Sequence, residues 1–182
     1  NFQIVHDWLQ AHDVVLSGRY SEWEYYNSDH AFLAGRKAAD RVHAALDAAG
    51  AETRVVSPAA GEVQGWDHYD KGEKVRVDLP LADADPDDFD ALLLPGGVAN
   101  PDQLRMQPEA VAFIRSFFEA GKPVAAICHA PWTLIEAGAA KGRRLTSWPS
   151  LQTDLRNAGA DWVDEAVVVD RGLVTSRKPT DI

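Results

Sequence analysis

Apolar residues along this chain form two kinds of pattern, short unbroken runs and runs at helical spacing, and from about residue 89 onward the two alternate. Phe89 to Leu94 and Val124 to Ile127 read as buried strands. Between them Val111, Ile114, Phe117 and Phe118 share one face of a helix predicted over Glu109–Ala120, opened by Pro108 and stopped by Gly121. Strand, helix and strand at this spacing make a βαβ unit. A right-handed crossover sets its strands parallel, with their carboxyl ends on one rim. Further along, the pattern predicts a helix to about Ala137, a strand near Arg144–Thr146, and a helix near Leu151–Asn157. A hairpin follows, with arms Ala166–Val169 and Leu173–Ser176 turning at Asp170, Arg171 and Gly172. Upstream, Ala38, Val42, Ala45, Leu46 and Ala49 recur at helical spacing before Gly50, and Glu52–Val56 reads as a strand closed by Ser57 and Pro58. Residues 59–72 read as a loop or irregular hairpin, followed by a short strand at Lys74–Val77. The class is α/β with a mostly parallel sheet.

At 182 residues the chain is long enough for one well-buried core, and one domain spanning residues 1–182 is expected. The net charge of −10 without clustered Lys and Arg argues against a nucleic-acid partner. No apolar run reaches the roughly 20 residues of a membrane span, so no membrane partner and a cytoplasmic location are expected. Asp83, Asp85, Asp87, Asp88 and Asp90 lack the glycine and terminal glutamate of a calcium loop and read as a solvated edge. The six histidines are scattered. No metal, nucleotide or flavin cofactor is implied, the Gly96-Gly97 pair being too short for a dinucleotide fingerprint.

The single cysteine, Cys128, stands where the Val124–Ile127 run stops and His129, Ala130, Pro131 and Trp132 begin. A lone cysteine is often a small buried hydrophobe. At a junction of strand and helix it is also placed to be a nucleophile, pointing into the open end of a parallel sheet where ligands bind. The positive end of the following helix would there favour thiolate. A working nucleophile also needs a proton-accepting partner and backbone donors for an oxyanion. His129 is adjacent, and the amides of Gly96 and Gly97, at the end of the other strand, are candidate donors.

These residues resemble a known family. Leu92–Gly97 (LLLPGG), Asn100–Asp102 (NPD), Gly121–Pro123 (GKP), Ala126–Trp132 (AICHAPW), Thr146–Ser150 (TSWPS), Ala158–Asp164 (AGADWVD) and Thr175–Asp181 (TSRKPTD) are similar to the ThiJ/PfpI superfamily. The PfpI-like intracellular-protease branch is the nearest. The resemblance covers about Ala44 to Ile182. It implies a flavodoxin-like α/β three-layer sandwich related to class I glutamine amidotransferases, and a homo-oligomer. It also implies Cys128 as nucleophile at an elbow, His129 as its partner, and backbone donors at Gly96, Gly97 and His129. An acid from a neighbouring subunit orients the histidine in that branch, and Asp102 is the matching position; its alternative is a cap for the turn or short helix after Pro101. Ala130 replaces the glycine usual after the histidine.

Family members open with a central strand whose turn bears a glutamate that hydrogen-bonds the cysteine, and close with a helix beside that strand. Two alignments of the first residues stand. In a circular permutation, Phe2–Ala11 replaces the terminal helix, Val14–Gly18 the first strand, and Glu22 takes the cysteine-partner position with Glu24 as alternate. In the other, the segment from Gly35 to Asp40 flanks a deleted first strand and Glu22 is merely exposed. The aromatics Trp23, Tyr25, Tyr26 and Phe32 read as a subunit contact.

The function expected from these residues is a cysteine-dependent hydrolase of peptidase type, whose thiolate attacks a carbonyl of a peptide. A glyoxalase III or deglycase-type enzyme acting on a small carbonyl compound is the alternative. Two others stay open: a redox-sensing or chaperone-like stress protein whose cysteine is oxidised, and a member without activity.

Overall fold

The computed structural model of the chain describes residues 50–67, 70–178 and 181. The helix expected over Ala38–Ala49, both alignments of the first residues, Glu22, Glu24 and the N-terminal aromatics lie outside them. The chain divides into two compact units, one ending at Ala84 and one beginning at Asp85.

In the first unit, β1 (Val56–Ser57) pairs in parallel with β4 (Leu79–Pro80), and β2 (Glu62–Asp67) forms an antiparallel hairpin with β3 (Asp70–Arg76). Of the two readings left open for residues 59–72, the hairpin is the one found, with its register broken between Gln64 and Trp66. The strand expected over Glu52–Val56 is reduced to its end. Val55 does not donate to a neighbouring strand, because its N–H goes to the Asp78 carboxylate at 2.8 Å while its carbonyl takes the Asp78 and Leu79 amides. A side chain has taken the place of the amide's ladder bond there.

The second unit is built on a four-stranded sheet in the order β5 (Leu92–Leu94), β6 (Val124–Ile127), β10 (Leu173–Ser176), β9 (Val167–Asp170). The first three are parallel and β9 is antiparallel to β10. All four residues of β6 are buried, as expected of a strand covered on both faces. The hairpin of β9 and β10 turns at Arg171 and Gly172, with φ of 48° and 81°, the two consecutive positive values of a type I′ turn. The expected turn residue Asp170 instead pairs with Leu173 as the last of β9.

Between β5 and β6 lie α1 (Ala99–Leu104) and α2 (Pro108–Glu119). Ala110, Ile114 and Phe117 are the buried face of α2. Its end is a Schellman motif: Gly121, at φ 69°, donates to Phe118 O at 3.2 Å and Lys122 donates to Phe117 O at 2.8 Å. Phe89 sits before β5, and its ring meets Phe113 edge-on at 5.9 Å. After β6 come α3 (Pro131–Glu136), β7 (Arg144–Leu145), α4 (Gln152–Asn157) and β8 (Asp161–Trp162), with β7 and β8 paired in parallel. Leu134, Leu145, Leu151 and Leu155 from this half are fully buried with Phe117, Ile114 and Val124 in one core. Phe117→Ala is expected to cost about 3–5 kcal/mol, read as a fall in the midpoint of denaturant unfolding.

Asp83, Asp85, Asp87, Asp88 and Asp90 are exposed, and Asp85 caps the 3-10 turn Pro86–Asp88 by accepting from the Asp87 amide at 3.0 Å. Among the described residues no cluster of His, Cys, Asp or Glu could hold a metal ion, and no helix is long and apolar enough to cross a membrane.

Candidate active site

Three parallel strands end side by side, and the backbone beyond β6 makes a sharp corner at Cys128. Its N–H donates to Ser176 O at 2.9 Å, continuing the ladder to β10, and its carbonyl accepts from Trp148 N at 2.8 Å. The next residues turn at once into α3, with Ala130 N on Ile127 O at 3.0 Å and Trp132 N on His129 O at 3.1 Å. Turning from strand to helix within the three residues Cys128–Ala130 goes with a Cys128 φ of 62°, the left-handed region. For a residue with a Cβ that conformation costs about 1–2 kcal/mol, and such strain concentrates at functional sites.

The strand beside it supplies the other wall. After Leu94 and Pro95 the chain passes so close to the elbow that a Cβ at Gly96 would lie 2.8 Å from Cys128 Cβ and 2.9 Å from Ile127 O. Only glycine fits. Gly97, at φ 87°, follows, and its N–H and that of His129 stand near enough the Cys128 sulfur to draw the thiol's pKa down. Two convergent backbone donors at a sulfur are also where an oxyanion formed by attack from that sulfur would find partners.

His129 folds back on its neighbour, with Nδ1 3.2 Å from Cys128 Sγ, so adjacency in sequence is here adjacency in space. The ring is buried, with 8 % exposed. Trp148 stacks on it at 5.9 Å and 23°, Trp132 meets it edge-on at 5.7 Å, and Nε2 faces Ser150 Oγ at 3.4 Å. Trp132 is itself fixed by its indole N–H on the Asp154 carboxylate at 2.8 Å and by the Arg105 guanidinium 5.4 Å over its ring.

Burial pushes the Cys128 thiol above its ordinary value, against the downward pull of the Gly97 and His129 amides. Burial also pushes His129 below its ordinary value. Both groups are driven toward their neutral forms, so the resting pair is thiol and imidazole. Burial thus works against the thiolate expected from the following helix: α3 has only six residues, and desolvation outweighs the donors near the sulfur. Alkylation of Cys128 by iodoacetamide is therefore expected to rise about tenfold per pH unit through neutrality, with no plateau below about pH 8.5. A plateau below pH 7 would overturn the neutral pair.

Of the residues singled out from sequence, Cys128, His129, Gly96 and Gly97 come together here. Asp102 does not join them within the chain. It is exposed in the first turn of α1, whose N-cap is Val98, so Asp102 is not the cap considered for it. It has no hydrogen bond to His129 among the described residues. Sequence reasoning missed Ser150 and Trp148; the motif Thr146–Ser150 containing both was visible, but no side chain in it had a chemical role on sequence grounds.

Comparison with known proteins agrees with this geometry. The model of the DJ-1/PfpI family matches residues 37–182. A deglycase of Thermococcus kodakarensis is 48% identical over 133 residues, covering 73% of this chain and 77% of the relative. A putative cysteine protease of Bacillus subtilis, YraA, is 48% identical over 111 residues, covering 61% and 65%. Among solved structures, a two-domain protein of Anabaena variabilis with DJ-1/ThiJ/PfpI-like and ferritin-like domains superposes with TM-score 0.68 at 38% identity, over 75% of this chain and 38% of that one. The parallel sheet, the strained cysteine at its carboxyl edge and these matches have one common explanation: with the α/β flavodoxin-like fold that the motifs implied, the chain belongs to the DJ-1/PfpI family.

Proposed function

We propose that this protein is a cysteine-dependent enzyme that opens carbonyl adducts of the deglycase type. The observation that carries the reading is the convergence at Cys128 Sγ of a histidine nitrogen at 3.2 Å and two backbone N–H groups. In the first step the thiol proton passes to His129 Nδ1 and sulfur bonds to the substrate's carbonyl carbon. The carbonyl π pair moves onto oxygen, where the Gly97 and His129 amides receive it. The imidazolium then gives its proton to that oxygen, leaving a neutral thiohemiketal, or to a leaving nitrogen as the oxyanion reforms the C=O and the bond from carbon to that nitrogen breaks; water then releases the acyl group from sulfur. The neutral resting pair suits this order, since charge develops only once substrate has arrived.

Four deglycases among the relatives, 45–48% identical over 133 residues, support that substrate class. The second reading, peptide hydrolysis, is favoured by the likeness to a putative cysteine protease. The residues at the sulfur serve both, because each begins with attack on a carbonyl. In either, the exposed position of Asp102 leaves it free to stand at the rim of a neighbouring subunit's site in an oligomer. The experiment that tests the proposal offers the protein methylglyoxal-treated N-acetyl-cysteine, N-acetyl-arginine and casein in parallel. Release of the free amino acid without casein cleavage is expected; cleavage of casein alone supports the peptidase reading, and turnover of neither overturns both.

A further inference from the structure

We propose that Ser150 is a positioning residue for the thiol–imidazole pair, its hydroxyl holding the His129 ring with Nδ1 turned toward Cys128 Sγ. The inference rests on the reading of Cys128 and His129 as the reactive pair.

His129 has two ring nitrogens and both are engaged, Nδ1 by the sulfur at 3.2 Å and Nε2 by Ser150 Oγ at 3.4 Å. Rotation of the ring about its bond to Cβ would break both contacts together. A local structural role does not account for the hydroxyl. Ser150 lies inside the 3-10 turn Pro149–Leu151, where it caps no helix, and its Oγ has no other hydrogen bond among the described residues. It is exposed, so its side chain fills no core space.

The segment that carries it is held far more firmly than a surface loop requires. Thr146 and Ser147 are fully buried; the Thr146 amide donates to Thr175 Oγ1 at 2.9 Å and the Trp162 indole donates to Ser147 Oγ at 2.9 Å. Ser147 Oγ in turn donates to Trp148 O at 2.9 Å, and the Trp148 amide is bound to Cys128 O. One short stretch is thereby fixed both to β10 and to the elbow. It presents two groups to the same imidazole, the Trp148 face and the Ser150 hydroxyl.

The proton count gives that hydroxyl its effect. When the thiol proton moves to Nδ1, the ring becomes an imidazolium with N–H at both nitrogens. The thiolate accepts from Nδ1–H and Ser150 Oγ accepts from Nε2–H, while the serine's own hydrogen faces solvent. A hydrogen bond from a charged donor is stronger than one from a neutral donor, so Ser150 favours the state in which the histidine holds the thiol's proton. Hydrogen bonds of this kind are often long in the absence of substrate and tighten as charge develops.

The test measures the rate of Cys128 alkylation against pH, and turnover, in wild type, Ser150→Ala, Ser150→Thr, His129→Ala and the double variant His129→Ala/Ser150→Ala. Ser150→Ala is expected to slow alkylation at neutral pH about tenfold and to lower kcat with KM unchanged. Ser150→Thr, which keeps a hydroxyl, should restore both. In the His129→Ala background Ser150→Ala should have no further effect, because its action passes through the ring. Additive effects in that cycle, or a Ser150→Ala profile superimposable on wild type while His129→Ala differs, would overturn the inference and leave the functional reading standing. Undiminished turnover in Cys128→Ala would overturn the functional reading itself.

Discussion

Cys128→Ala is expected to lower turnover of any carbonyl substrate by about 10⁴-fold or more, with the denaturation midpoint nearly unchanged. Among the described residues the sulfur is the atom placed to attack: His129 Nδ1 already faces it, and the backbone donors of Gly97 and His129 converge on it. Removing it leaves the imidazole and the backbone donors in place without a nucleophile. Stability is nearly untouched because alanine inherits the φ of 62° with the same Cβ, and the elbow's hydrogen bonds to Ser176 and Trp148 are made by backbone. Cys128→Gly sharpens the point. Glycine accepts that φ freely, so its variant should be more stable than Cys128→Ala by about 0.5–1 kcal/mol, the relief of strain less glycine's larger loss of chain entropy. A protein that becomes more stable as it loses its nucleophile holds strain at the site for the sake of the site. Denaturant midpoints and turnover measured on the same preparations decide this, and retained turnover in the alanine variant would sink the assignment.

Local chemistry made much of this legible from sequence. Pro108 and Gly121 bound α2 because proline suits a first helical turn and a left-handed glycine closes a Schellman motif, and neither depends on distant residues. The run Val124–Ile127 followed by Cys128 could be read as strand and corner because an apolar run that ends abruptly before Pro131 has few other ways to fold. Long-range contacts were invisible. Of the strand expected at Glu52–Val56 only its end pairs, and the Val55 amide before it is taken by the Asp78 carboxylate, 23 residues away. Ser150 reaches His129 across 21 residues, through a backbone bond between Trp148 and Cys128 that no local pattern announces. The protonation of the pair turns on the same kind of contact: helix and neighbour arguments are local, whereas the burial that pushes Cys128 up and His129 down is a property of the packed unit.

The contact between β5 and β6 makes the sharpest demand on a single residue, and Gly96→Ala should expose it. The added methyl would stand 2.8 Å from Cys128 Cβ and 2.9 Å from Ile127 O, closer than packed atoms tolerate. Neither neighbour can swing aside. Ile127 is the last residue of β6, in register with Ser176 of β10, and Cys128 is tied through both its N–H and its carbonyl. The strands must therefore part at their carboxyl ends, costing about 1–3 kcal/mol and shifting Sγ relative to the Gly97 amide and the imidazole. A displacement on the order of 1 Å costs about 10²-fold in rate, so alkylation of Cys128 and turnover should both fall by about that factor. Gly121→Ala supplies the contrast. It too places a Cβ where φ is positive, at 69°, but nothing lies within 4 Å of it and it closes α2 rather than flanking the sulfur. It should lose about 1 kcal/mol of stability with the thiol's reactivity intact. If Gly96→Ala instead alkylates as wild type does, the strands separate at that end without moving the sulfur, and the reactive geometry belongs to the elbow alone.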